Sequence, residues 1–169
     1  MIVGNGDIAQ QLYRADKPFI TFFASGVSNS KQEDEKEYAR EIALLLRQPK
    51  DQHLVYFSSL CIYYSQSRYA QHKVQIERLI KEYFQTYTIV RLGNITWGRN
   101  PNTIINYFKL QSRSKRTPHL EDGHRFIITE PEFCYWILHL PIGIKNEMNI
   151  PGEMISINEI WRRVQNGQY

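Results

Sequence analysis

The segment Leu54-Val55-Tyr56-Phe57-Ser58-Ser59-Leu60-Cys61-Ile62-Tyr63, followed by Arg68-Tyr69-Ala70-Gln71-His72-Lys73, decides the fold. Leu54 to Phe57 is an unbroken apolar run, as expected of a strand buried on both faces. It ends in two serines, and in open α/β sheets ligands lie beyond the carboxyl ends of strands. Arg68 to Phe84 then reads as a helix, with Tyr69, Lys73, Ile76, Ile80, Tyr83 and Phe84 stepping by three and four.

The same strand-then-helix alternation extends outward. Upstream, Phe19 to Ala24 is a second apolar strand, Ser25 to Ser30 a loop, and Gln32 to Arg47 a helix striped by Tyr38, Ile42, Leu45 and Leu46 and ended by Pro49. Before these come a strand stub, Met1 to Val3, a glycine-rich turn and a short helix over Asp7 to Arg14. Downstream, Thr88 to Leu92 is a strand, and Pro101 suits the first turn of a helix running to about Leu110. Gln111 to His124 reads as a surface loop, Phe126 to Thr129 as a strand, and Pro131 to His139 as a helix. Ile155 to Val164 is a last helix, with Ser156 and Glu159 in capping-box spacing. This alternation predicts a doubly wound parallel α/β sheet. Neither a linker nor a repeat divides the chain. One domain over 1–169 is expected, with a core over about 1–110 and a small substrate-binding part over about 111–169.

The chain has 169 residues, and its charge is 21 − 17 = +4. A hydrophobic fraction of 42% excludes a disordered or fibrous chain. The excess charge is too small for a dedicated nucleic-acid surface. Arg113, Lys115 and Arg116, near His119 and His124, read as a solvated loop. Cys61 and Cys134 lack metal-ligand or disulfide-framework spacing, so no metal is expected and a reducing compartment fits. No basic-then-apolar leader and no membrane-spanning run is visible, so the expectation is a cytoplasmic protein without a membrane partner.

Three groups of residues could carry chemistry. Gly4-Asn5-Gly6-Asp7-Ile8-Ala9 is a GxGxxA turn between strand and helix, where bare backbone and free amides suit a pyrophosphate. Tyr69 and Lys73 form a YxxxK pair on one helix face, and a nearby ammonium favours phenolate, suiting the Tyr to acid–base work. Ser58 and Ser59 end a strand, where a hydroxyl could hold a substrate oxygen. Each pattern also has a structural reading: an ordinary glycine turn, a core Tyr beside a snorkelling Lys, serines bonded to local backbone. Their joint order raises the functional one.

Taken in that order, these residues resemble the extended short-chain dehydrogenase/reductases, the NAD-dependent epimerase/dehydratase family acting on nucleotide-sugars. Leu54 to Tyr63 is similar to that family's strand ending in SSxxVY, Tyr69 and Lys73 to its YxxxK, and Val90-Arg91-Leu92-Gly93-Asn94 to its LRxxN segment. Trp97-Gly98 stands where a YG pair is usual. Arg125 to Glu132 resembles its R-x-[FY]-[IV]-x-V-x-D segment, with Glu132 for the Asp, and Met148 to Gly152 with Ile155 to Ile160 resembles its final segment. The resemblance implies Ser59, Tyr69 and Lys73 as catalytic residues. It implies Gly4, Gly6, Asp7, Ile8, Ala24, Ser25, Gly26, Ser58, Tyr69 and Lys73 around NAD or NADP, and Asn94, Asn102 and Arg125 around a nucleotide-sugar. It also implies a possible homodimer through the two long helices.

The departures are specific. The glycine motif is GxGxxA rather than GxxGxxG. Phe22-Phe23-Ala24-Ser25-Gly26 resembles the family's fourth strand and its exit, yet follows the first turn almost at once. The fold implied is therefore Rossmann-like, lacking its second and third strands, with a reduced C-terminal substrate-binding region. The acidic residue for the adenosine ribose is missing with them. The activity implied is an NAD(P)-dependent nucleotide-sugar oxidoreductase or epimerase, with Lys73 lowering the Tyr69 pKa. The alternative is a non-catalytic nucleotide- or nucleotide-sugar-binding relative acting through protein contacts.

Overall fold

The computed structural model describes residues 1–169. From β1 (Ile2–Val3) the chain passes a glycine-rich turn and one 3-10 turn (Ala9–Gln11) into β2 (Ile20–Phe23). Then come α1 (Glu35–Leu46), β3 (His53–Ser59), a 3-10 turn (Leu60–Tyr63), α2 (Arg68–Tyr83) and β4 (Tyr87–Leu92). The remainder is β5 (Asn94–Ile95), α3 (Ile104–Arg113), β6 (His124–Ile128), α4 (Glu130–Leu138), β7 (Lys145–Ile150), β8 (Glu153–Ser156) and α5 (Ile157–Gln165).

The main sheet has five strands in the order β1-β2-β3-β4-β7, every neighbouring pair parallel. Its register runs from Leu54 opposite Tyr87 to Ser59 opposite Leu92 at the centre. Every residue of β2 and β4 is buried, because helices cover both faces. On one face α1 and α2 pack Leu45, Ile76 and Ile80 against Leu54, Tyr56 and Ile89. On the other, Leu12 and α4, through Phe133 and Ile137, pack against Phe22, Val55, Phe57 and Val90. A second, three-stranded sheet, β5-β6-β8, joins α3 and α5 around Phe108, Ile160 and Trp161. This is the Rossmann-like architecture with β1 as one edge, the two strands that would lie outside it being absent.

Each α-helix starts at a residue whose side chain satisfies a free first-turn amide. Asp34, Ser67, Thr103, Thr129 and Ser156 accept from Lys36, Ala70, Asn106, Glu132 and Glu159 respectively. Each such cap stabilises its helix by about 1 kcal/mol.

Three expectations are corrected. The helix expected over Asp7–Arg14 is only the single 3-10 turn, because the Asp7 side chain is drawn away to the 99–100 backbone. α3 begins after Pro101 and Asn102, with Thr103 as its cap. The core does not end near residue 110: α4 closes one face of the main sheet and β7 supplies its fifth strand. β7 escaped notice because Lys145-Asn146-Glu147-Met148-Asn149-Ile150 is an edge strand of alternating exposure, without the apolar run of a central one. No helix is long and apolar enough to cross a membrane.

Candidate active site

The carboxyl ends of β2, β3 and β4 open on a cleft of about 540 Å³, within the range for small-molecule sites. Ser59, Tyr69 and Lys73 all line it, as do Asn94, Asn102 and Arg125. β3 delivers Ser59, and α2 delivers Tyr69 and Lys73 one turn apart on its cleft-facing side. The Ser59 Oγ accepts from the Cys61 amide at 3.2 Å, which leaves its own proton free to donate.

Lys73 is nearly buried, and its ammonium donates to the Tyr56 hydroxyl at 2.9 Å and to Glu41 Oε1 at 3.2 Å. One of its three N–H groups remains for a ligand in the cleft. Glu41, fully buried, also accepts from the Val27 amide at 2.7 Å and the Tyr56 hydroxyl at 2.9 Å, and its Oε2 lies 3.0 Å from His72 Nε2. A carboxylate only accepts, so His72 carries a proton on Nε2; its Nδ1 is buried without a partner. Burial alone would raise the Glu41 carboxyl. The Lys73 ammonium, His72 and the Val27 amide outweigh it and hold it well below its ordinary 4.5.

The Tyr69 phenol is displaced in the direction opposite to that expected. Burial first, then the neighbouring Cys61 and Glu41, push it above its ordinary 10.0, while the Ser59 hydroxyl tempers the rise. Lys73 Nζ stands 5.5 Å from the Tyr69 ring centroid with its charge turned to Glu41. Sequence spacing alone could not reveal that competing partner.

The other expected residues divide. Ile8, Ala24 and Gly26 line the cleft, and Ser58 lines it while its hydroxyl donates to buried Glu77 at 2.6 Å. The Ser58 hydroxyl is thereby committed to the protein interior. Ser25, which is not on the cleft wall, is bonded by Arg40 through both its hydroxyl and its carbonyl. Gly4 has φ +122, and a Cβ there would lie 2.4 Å from the Ala24 carbonyl oxygen, so glycine is what lets β1 reach β2. Nothing lies within 4 Å of a Cβ built on Gly6, which is exposed and does not line the cleft. Asp7 faces the opposite loop, accepting from the Arg99 and Asn100 amides, each at 2.9 Å. Asn94 donates to the Phe126 carbonyl and Arg125 to the His124 carbonyl.

The residues at the inner end of the cleft fit the nicotinamide riboside half of a dinucleotide: a phenol, a serine hydroxyl and an ammonium with one free N–H. Beyond β2 the sheet ends at the two-residue β1, which leaves little wall to hold an adenosine half. Glu41, Tyr56 and His72 were missed in the sequence. The available signal was a carboxylate at Glu41, three residues after Tyr38 and four before Leu45 on the apolar side of α1.

No family model and no curated protein sequence matches the chain. Solved structures do. An enzyme of Bordetella bronchiseptica, WbmG, in complex with NAD and UDP superposes with a TM-score of 0.70 at 17% identity, over 98% of this chain and 62% of its own. UDP-glucose 4-epimerase of Thermus thermophilus with NAD gives 0.70 at 16% identity, over 93% of this chain and 64% of its own. UDP-glucuronic acid 4-epimerase of Bacillus cereus, with NAD and a fluorinated UDP-sugar, gives 0.69 at 18% identity, over 96% and 62%. The chain thus spans less than two thirds of the length of these proteins, and what it shares with these NAD-bound enzymes is their Rossmann-like fold.

Proposed function

We propose that this protein is an NAD(P)-dependent oxidoreductase or epimerase acting on a nucleotide-sugar. One observation carries the reading: Ser59, Tyr69 and Lys73, from two different elements, meet on the cleft at the strand ends that also holds Asn94, Asn102 and Arg125. The fold shared with epimerases crystallised with NAD supports it. A bound nicotinamide would accept or supply hydride at a sugar carbon. Tyr69 would exchange the proton at the sugar oxygen, Ser59 Oγ would orient that oxygen, and the free N–H of Lys73 would hold the nicotinamide ribose. Arg125 and Asn102 would face the substrate diphosphate, and Asn94 would touch the nucleotide-sugar. A homodimer through α1 and α2 and a cytoplasmic location belong to the same reading.

The test is calorimetric titration with NAD, NADP and UDP-glucose, followed by turnover assays of Tyr69→Phe. The reading expects a dinucleotide to bind, and expects the variant to keep its fold while losing nearly all turnover. Absence of dinucleotide binding at millimolar ligand, or undiminished turnover in the variant, refutes it. The second reading, a non-catalytic nucleotide-sugar-binding protein, rests on the sheet ending at a two-residue β1 beside the adenosine half. It expects UDP-glucose to bind and neither dinucleotide to do so.

A further inference from the structure

The buried cluster behind Lys73 has no part in the chemistry described so far. Its centre is Glu41, the only carboxylate within hydrogen-bonding reach of that ammonium. Glu41 joins three segments: α1, which carries it; the exit of β2, through the Val27 amide; and α2, through Lys73 and His72. Tyr56 on β3 closes the ring, donating to Glu41 at 2.9 Å while accepting from Lys73 at 2.9 Å. The fit leaves no slack. A Cβ on Gly26 would lie 2.8 Å from both Glu41 Oε1 and Lys73 Nζ, so a side chain there would displace the pair.

Desolvating a carboxylate and an ammonium is costly, and a fold gains little net stability from such a pair over an apolar one. The arrangement does fix a cation at one point and cancel its charge. We propose that Glu41 is a positioning residue of the cleft: it locks the Lys73 ammonium with one N–H toward the ligand and compensates its charge. The inference rests on the reading above, in which Tyr69 is the proton-exchanging group. A neutral phenol is the proton-donating form, so the unliganded site stands ready to protonate a sugar carbonyl oxygen while hydride from a reduced nicotinamide adds to its carbon. Ketone, reduced dinucleotide and the Tyr69 phenol then give alcohol, oxidised dinucleotide and a Tyr69 phenolate.

The titratable and charged groups around Tyr69 and Glu41 are Lys73 and His72 on α2, Tyr56 on β3, Tyr38 on α1 and Cys61 after β3. Only Glu41→Gln removes the compensating charge and leaves the cation in place. The experiment is an absorbance titration of phenolate, with Tyr69 isolated as the difference between each protein and its Tyr69→Phe counterpart. In the otherwise unchanged protein the Tyr69 step lies above pH 10, and in Glu41→Gln it moves down by roughly one pH unit or more. NAD binding should weaken about tenfold in Glu41→Gln and no further when Lys73→Met is already present, the signature of action through Lys73. An unmoved Tyr69 step, or additive losses in the double variant, overturns the proposal. So does a Tyr69 step below pH 10 in the protein with Glu41 intact, which needs no Glu41 variant to fold. A protein that binds no dinucleotide refutes the proposed function but leaves this titration readable. One that binds NAD with an unmoved titration refutes the role of Glu41 alone.

Discussion

Glu77→Gln tests whether burial, rather than the number of ionic contacts, sets the worth of the charged network beside the cleft. Arg91 on β4 donates through Nε to Glu77 at 3.0 Å and through Nη2 at 2.6 Å, and the same Nη2 reaches Glu147 on β7. The Glu77 side chain is 6% exposed and that of Glu147 36%. Glu77 also accepts from the Ser58 hydroxyl. Gln preserves the volume, removes the charge and turns an amide toward the Arg91 donors. Breaking a fully buried pair costs about 3–5 kcal/mol; because Arg91 keeps Glu147, the expected loss is about 2–4 kcal/mol. For a chain of this length that lowers Tm by roughly 5–15 °C. Glu147→Gln removes a contact that water screens, and should cost less than about 1 kcal/mol. Urea unfolding of both variants, read by circular dichroism, gives the comparison. If Glu147→Gln proves as costly as Glu77→Gln, or Glu77→Gln is silent, the burial argument is wrong.

Other outcomes follow from the same reasoning. Phe133 is fully buried against Phe57 and Trp97, so Phe133→Ala should cost about 3–5 kcal/mol in urea unfolding; a loss under about 1 kcal/mol would mean the α4 face is not packed as described. Gly4→Ala should detach β1, seen as faster hydrogen exchange at the Phe22 and Ala24 amides, which bond to Met1 and Val3; unchanged protection would contradict the required positive φ. Glu41 holds its proton less tightly folded than unfolded, so its contribution is complete above the unfolded value near 4.5 and declines as pH falls below it. The slope of stability against pH on that acid side should therefore be shallower in Glu41→Gln than in the unaltered protein, and an identical slope would count against the buried ion pair.

Much of this is legible in the sequence. The apolar runs at Phe19–Ala24 and Leu54–Phe57 announced central parallel strands because both faces of such strands are covered, and β2 and β3 lie there. The apolar stripes located the two long helices and the Ser156 cap the last one, since both signals are local to the chain. The order of a strand ending in Ser59 and a helix carrying Tyr69 and Lys73 pointed to the strand ends where those three line one cleft, while the glycines of the first turn are not on its wall. Edge strand β7 and the short strands β5 and β8 were not legible, although β6 was: β7 alternates in exposure and leaves no apolar run, and all three pair with partners far along the chain.

Tertiary structure alone decided the state of the site. Sequence spacing sets Tyr69 and Lys73 one helical turn apart and suggests an ammonium serving a phenol. The fold brings Glu41 from another helix, 32 residues away in sequence, to take that charge, and ties the Ser58 hydroxyl to Glu77 and Asp7 to the 99–100 backbone. The reason is physical: local pattern fixes which residues share a face, but the charge and hydrogen-bonding state of a buried group depends on whatever packing brings against it.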